Sequence, residues 1–116
     1  MADGGQGNWI FQTNIIKPKI MSRFTTRVEL YGSPNADDYN KLHYSMQRYG
    51  FARNFVGGDI TYILPHAEYS LNSNNTTKEV LELAKEAAHT VWKDYSVLVT
   101  RTEVTREWYN LKVLKN

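Results

Sequence analysis

Arg23-Phe24-Thr25-Thr26-Arg27-Val28-Glu29-Leu30-Tyr31 alternates in character with a period of two. Phe24, Thr26, Val28 and Leu30 fall on one side, and Arg23, Thr25, Arg27, Glu29 and Tyr31 on the other. Successive side chains of a strand point to opposite faces, so this stretch predicts a strand with one buried and one polar face. Immediately downstream, Gly32-Ser33-Pro34 breaks the strand. Tyr39, Leu42, His43, Met46 and Tyr49 then recur at the three- and four-residue spacing of a helix. Asn35 or Ser33 is placed to cap it, Asp37 and Asp38 complement the positive end of its dipole, and Gly50 suits the position just past its end.

The pattern continues with Phe51–Val56 as a second strand and Gly57-Gly58-Asp59 as hairpin chemistry. A third strand is expected over Ile60–Tyr69, where Pro65 cannot donate to a ladder and predicts a bulge or a shortened strand. Ser70–Asn75 reads as a polar loop. Thr76 and Glu79 have the spacing of a capping box, and Val80, Leu83, Ala84, Ala87, Ala88 and Val91 form the most regular helical stripe in the chain. A fourth strand runs from Tyr95 to about Val104, and Thr105-Arg106 turns the chain towards a last strand, Trp108–Leu114. This order predicts an α+β fold: a ferredoxin-like β-α-β-β-α-β sandwich, with an antiparallel sheet, both helices on one face and an extra C-terminal strand. The open face, or an edge strand, is then the expected place for a ligand or a second subunit.

The 116 residues suit one domain, and eight Tyr, four Phe and three Trp within 41% hydrophobic content suffice for one core. Residues 1–20 differ from the rest. Gly4, Gly5, Gly7 and the break at Lys17-Pro18-Lys19 predict a flexible leader, with Trp9 or Phe11 packing on a sheet edge as the alternative. Residues 21–116 are expected to form the single domain, with Met21 a candidate start. A net charge of +2 is only a weak pointer to nucleic acid. The absence of Cys excludes disulfides and thiolate chemistry. No apolar run approaches the roughly 20 residues of a membrane span, and the N-terminus lacks a signal-peptide pattern, so a cytoplasmic protein without a membrane partner is expected.

Three groups of residues carry candidate chemistry. On the polar face of the first strand stand Arg23, Arg27, Glu29 and Tyr31, which Arg53 and Arg101 join if they project from the same side. A guanidinium fork holds phosphate and a tyrosine ring stacks on a base, so such a cluster would hold RNA; cross-strand Arg–Glu pairing is the plainer account. His43, His66 and His89 have no metal-ligand spacing. His43 and His89 read as structural, whereas His66, after Pro65, is placed for a proton-transfer role. Asp37 and Asp38 read as helix caps rather than magnesium ligands, and no Walker loop, zinc pattern or nucleophile elbow is present. Neither a metal nor a cofactor is expected.

Met21-Ser22-Arg23-Phe24-Thr25-Thr26-Arg27-Val28-Glu29-Leu30 resembles the opening of the GhoS-type antitoxin family. Asp59–Tyr69, Tyr95–Thr100 and Trp108–Leu111 extend the resemblance, which covers residues 21–114. It implies a ferredoxin-like fold similar to the small CRISPR adaptation nucleases. It also implies a type V antitoxin, an endoribonuclease that cleaves the messenger of a small membrane-damaging toxin. Where those nucleases carry a metal-binding Asp at the end of the first strand, this chain reads Tyr31-Gly32-Ser33. Under this reading Arg27, with Arg23 or Arg53, holds the phosphate. His66 or Glu29 moves the proton, Tyr31 or Tyr62 stacks a base, and Arg101 adds a phosphate contact. The alternative is a non-catalytic module that binds RNA or protein, in one form as a homodimer.

Overall fold

The computed structural model describes residues 21–103 and 106–115. The expected leader, residues 1–20, lies outside them, as do Val104 and Thr105. The fold is α+β, in the order β1 (Ser22–Leu30), α1 (Ala36–Arg48), β2 (Asn54–Gly57), β3 (Ile60–Ile63), β4 (Glu68–Ser73), α2 (Thr77–His89) and β5 (Tyr95–Thr102). β4, β1 and β5 form a three-stranded antiparallel sheet in that order, and β2 and β3 form a separate hairpin. One bridge, Ala52 with Ser70, ties the start of the hairpin arm to the outer edge of β4.

Both helices begin with reciprocal caps. Asn35 Oδ1 accepts from Asp38 N–H at 2.8 Å and Asp38 Oδ2 accepts from Asn35 N–H at 2.9 Å. Thr76 and Glu79 do the same for α2, at 3.1 and 2.8 Å. Each pair satisfies backbone donors that the first helical turn leaves open. α1 ends with Gly50 at φ +96°, its N–H donating to Gln47 O while Phe51 N–H donates to Met46 O. This is a Schellman closure, and the two residues it draws together, Phe51 and Met46, are both in the core. The helices cover one face of the sheet. Phe24, Val28 and Leu30 of β1 pack with Leu42 and Met46 of α1 and with Val80, Ala84, Ala87 and Ala88 of α2. The small alanine face lets α2 approach the strands closely.

Three expected elements take a different form. The single strand over Ile60–Tyr69 is two strands, β3 and β4, separated by a turn from Pro65 to Glu68. In that turn Glu68 N–H donates to Pro65 O and Ala67 sits at φ +62°. Positive φ at the third residue is the type II pattern, and Pro65 starts it because it has no N–H to give a ladder. The expected loop Ser70–Asn75 is largely strand, since β4 runs to Ser73. The expected strand Trp108–Leu114 is reduced to one bridge, Val113 with Tyr62, flanked by Ile63 N–H to Lys112 O and Leu114 N–H to Thr61 O. Asn110, at φ +58°, breaks the pleat before it.

Candidate nucleic-acid interface

The face of β1 turned away from the helices carries Arg23, Thr25, Arg27 and Glu29. Directly opposed residues of an antiparallel pair share a face, so the register adds Glu68, Ser70 and Asn72 from β4 and Ser96, Leu98, Thr100 and Thr102 from β5. This face is polar apart from Leu98, which is exposed. Arg27 is exposed and lies 3.6 Å from Glu68, its register partner. Glu29 is exposed opposite Ser96.

The C-terminal segment returns over this face and brings a third arginine. Arg106 Nη2 donates to Thr25 Oγ1 at 2.9 Å, and the guanidinium lies 4.7 Å from the centroid of the Phe55 ring. Burial holds its pKa below the usual arginine value; Arg23 pushes in the same direction and Glu68 opposes it. Two residues on, Trp108 packs against Phe55 and Tyr62, with centroids 5.1 and 4.9 Å apart, and covers Gly57. A Cβ on Gly57 would sit 2.5 Å from the indole. Tyr109 is 91% exposed, a bare ring beside the arginines' segment.

The remaining expected residues go elsewhere. Arg101 is opposed to Phe24, a core residue, so it projects from the helix-covered side, where it pairs with Glu103 at 3.0 Å. Arg53 turns towards α1: Nη1 donates to His43 Nε2 at 2.8 Å and Nη2 to Leu64 O at 3.4 Å. His66 is exposed but on that same side, its ring 4.4 Å from Tyr39 and 6.1 Å from His43. Tyr31 follows β1, with its N–H donating to Asp94 O and its carbonyl accepting from Trp92 Nε1. The Tyr62 ring is engaged by Phe55 and Trp108, so it supports the platform rather than offering a free face. Arg23, Arg27 and Glu29 are therefore brought together, while Arg53, Arg101 and His66 are not among them.

Arg53, His43 and Tyr69 form their own network. Arg53 has only donors, so His43 Nε2 accepts and its ring proton sits on Nδ1, donated to Tyr69 Oη at 2.6 Å. Burial, then the charges of Arg53 and His66, push the His43 pKa down to about 4. Burial raises that of Tyr69, against the field of Arg53. Both ring nitrogens of His43 are occupied, which suits a brace between α1, Arg53 and β4 better than a proton carrier.

The residue sequence reasoning missed is Arg106, although Arg106-Glu107-Trp108-Tyr109 does set a cation beside two aromatics. Among the described residues no group of His, Asp or Glu is placed to hold a metal ion, and no helix is long and apolar enough to cross a membrane. Comparison with protein-family models, curated proteins and solved structures finds no match to this chain.

Proposed function

We propose that the protein binds single-stranded RNA across the open sheet face. The observation that carries this reading is the gathering of Arg23, Arg27 and Arg106 on one side of the molecule by strand parity and by the returning C-terminal segment. Guanidiniums hold phosphates by paired charge-assisted hydrogen bonds, and the exposed ring of Tyr109 offers a stacking surface for an unpaired base. The ferredoxin-like arrangement belongs to the same proposal. It is supported by the sheet order β4-β1-β5 and by the Ala52–Ser70 bridge, which sets the β2 arm beside β4.

The second reading is the antitoxin-type endoribonuclease that the family resemblance implies, acting on a toxin messenger. Arg27 and Glu29 favour it, because they share a face two residues apart, about 7 Å along the strand. Arg27 would hold the scissile phosphate while Glu29 takes the proton of the 2′-hydroxyl. The 2′-oxygen bonds to phosphorus, the bond from phosphorus to the 5′-oxygen breaks, and that oxygen takes a proton from water. The products are a 2′,3′-cyclic phosphate and a 5′-hydroxyl.

Purified protein and its Arg27→Ala variant, incubated with a short-toxin messenger and a scrambled RNA with and without EDTA, separate these readings. Salt-sensitive binding that weakens in Arg27→Ala supports the RNA interface. Discrete cuts that survive EDTA and vanish in the variant support the endoribonuclease. Absence of RNA binding at low salt overturns both.

A further inference from the structure

The two edges of the β4-β1-β5 sheet end differently. Beside β4 lies the arm leading into β2, joined to it by the Ala52–Ser70 bridge. Beside β5 there is neither strand nor bridge among the described residues. An edge strand offers a row of unpaired N–H and C=O groups, which monomeric proteins commonly blunt with a bulge, a Pro, a Lys or a very short strand. β5 has none of these. It runs for eight residues, and its register with β1 is one-to-one from Tyr95 opposite Leu30 to Thr102 opposite Arg23. Val97, Val99, Thr100 and Thr102 are β-branched and suit extended pairing. Leu98 is 65% exposed, the one apolar side chain on the open side of the sheet.

This strand is also complementary to itself. A two-fold axis through Leu98, perpendicular to the sheet, lays β5 antiparallel to a second copy. Leu98 then opposes Leu98, Val97 opposes Val99, and Ser96 opposes Thr100. Lys93, just before one strand, falls opposite Glu103, just past the other. Opposed residues share a face, so the helices of both copies stay on one side and both open faces on the other. Leu98 gains an apolar neighbour there. On the helix side Val97 and Val99, partly buried at the rim of the core, carry the apolar layer across the axis. Arg101 meets Tyr95 and keeps its ion pair with Glu103. Neighbouring registers lack this match. An axis through Val97 sets Lys93 against Arg101, and one through Val99 sets Leu98 against Thr100 and Val97 against Arg101.

We propose that the protein forms a two-fold homodimer by antiparallel pairing of β5 with β5, in the register centred on Leu98. The contact is isologous and closed, and it joins two three-stranded sheets edge to edge. Arg27 is the register partner of Leu98, so one row across the axis reads Arg27, Leu98, the partner's Leu98 and the partner's Arg27. At about 4.8 Å per strand, the two Arg27 residues stand about 14 Å apart on one continuous open face. The association does not depend on what that face binds.

The test is sedimentation of the full chain without RNA, joined to cysteine cross-linking. Wild type is expected to approach twice the mass of one chain as concentration rises. Leu98→Glu sets two carboxylates face to face and removes the Leu contact, so association should weaken by about tenfold or more, with circular dichroism unchanged at this exposed position. The chain has no Cys, so single cysteines report the register. Leu98→Cys opposes itself within disulfide reach and should cross-link on oxidation. In Thr100→Cys the two thiols are offset by four positions, about 13 Å along the strands, and should stay apart. The cysteine pair decides the register even where Leu98→Glu perturbs the fold. A monomer at up to about 1 mM, where even a weak contact is populated, overturns the proposal. So does a dimer indifferent to Leu98→Glu, an unlinked Leu98→Cys protein, or equal cross-linking at the two positions. Because no RNA enters these measurements, their failure leaves the RNA reading standing.

Discussion

The two faces of β1 belong to one strand and follow opposite rules. On the helix side, Phe24, Thr26 and Val28 are at most 1% exposed and packed on every side. On the open side, Arg27 and Glu29 stand in water one residue away. Arg53 and Arg27 differ in the same way. Arg53, on the helix side, is tied to His43 and the Leu64 carbonyl, whereas Arg27 has a single loose ion pair with Glu68. A guanidinium engaged in the fold supports the fold; one that is weakly engaged is available to a partner. What each side chain meets, and not residue type, separates Arg53 from Arg27.

The sharpest way to break this comparison is to truncate neighbours of opposite parity. Phe24→Ala is expected to cost about 3–5 kcal/mol, as for other buried aromatics in close-packed cores. That is a large part of the roughly 5–15 kcal/mol available to a domain. Arg27→Ala should change stability by no more than about 0.5 kcal/mol, since an exposed ion pair contributes little. Urea unfolding of both variants measures the contrast. Comparable losses in the two would mean that the open face is part of the fold's support.

A second contrast lies where the C-terminal segment docks. Gly57→Ala places a methyl 2.5 Å from Trp108 Cη2, so the indole must move. A cost of about 1–3 kcal/mol is expected, together with a shift of the Trp108 indole N–H resonance. If Trp108 anchors Arg106 over Thr25, the same variant should weaken RNA binding without touching an arginine. Unchanged affinity would detach the segment from the interface.

The histidine network gives a pH signature that the open face lacks. His43 is held near 4 in the folded protein against an ordinary 6.5 when unfolded, so the unfolded chain takes up the proton first. This contribution to stability is complete above about pH 6.5 and is lost as pH falls towards 4. Because the ring is partly solvated, about 1–2 kcal/mol is expected rather than the full value of the shift. Stability followed across that window should fall in the wild type and change less in His43→Gln, whose amide can accept from Arg53 and donate to Tyr69. Equal slopes would show that other groups dominate.

What was legible in the sequence was local. The parity of β1, the capping box of α2, a cap at Asn35 and the closure at Gly50 depend on residues a few positions apart, and each appears where the pattern places it, with Asp38 closing a second capping box where the sequence pointed only to a dipole contact. The expected strand over Ile60–Tyr69 takes in the start of β4 but not its run to Ser73, because Ser70 and Asn72 face the open side and leave only Tyr69 and Leu71 as an apolar signal, too short to distinguish from a loop. Trp108–Leu114 alternates like a strand, yet Asn110 leaves the extended region and Trp108 is occupied by Gly57. The grouping of arginines depended on register. Nothing in the sequence near Arg101 says that it opposes Phe24, or that Arg53 reaches His43. Arg106 joins the face only through a return of the chain over β1, a tertiary event with no local signature.

The smallest expected effect tests the dry side at its one polar flaw. Thr26 is fully buried in the centre of β1, between Tyr69 on β4 and Val99 on β5, and its hydroxyl has no hydrogen-bond partner among the described residues. An unpaired buried hydroxyl carries its desolvation cost uncompensated. Thr26→Val keeps the shape and the β-branched strand preference while removing the polar atom. It should therefore stabilise the protein by up to about 1 kcal/mol, read as a raised urea midpoint with an unchanged slope. RNA affinity should stay the same, because the change is on the face away from the arginines. A loss of stability instead would mean that the hydroxyl has a partner, such as a buried water, and that the helix-covered side of β1 is less dry than its neighbours Phe24 and Val28.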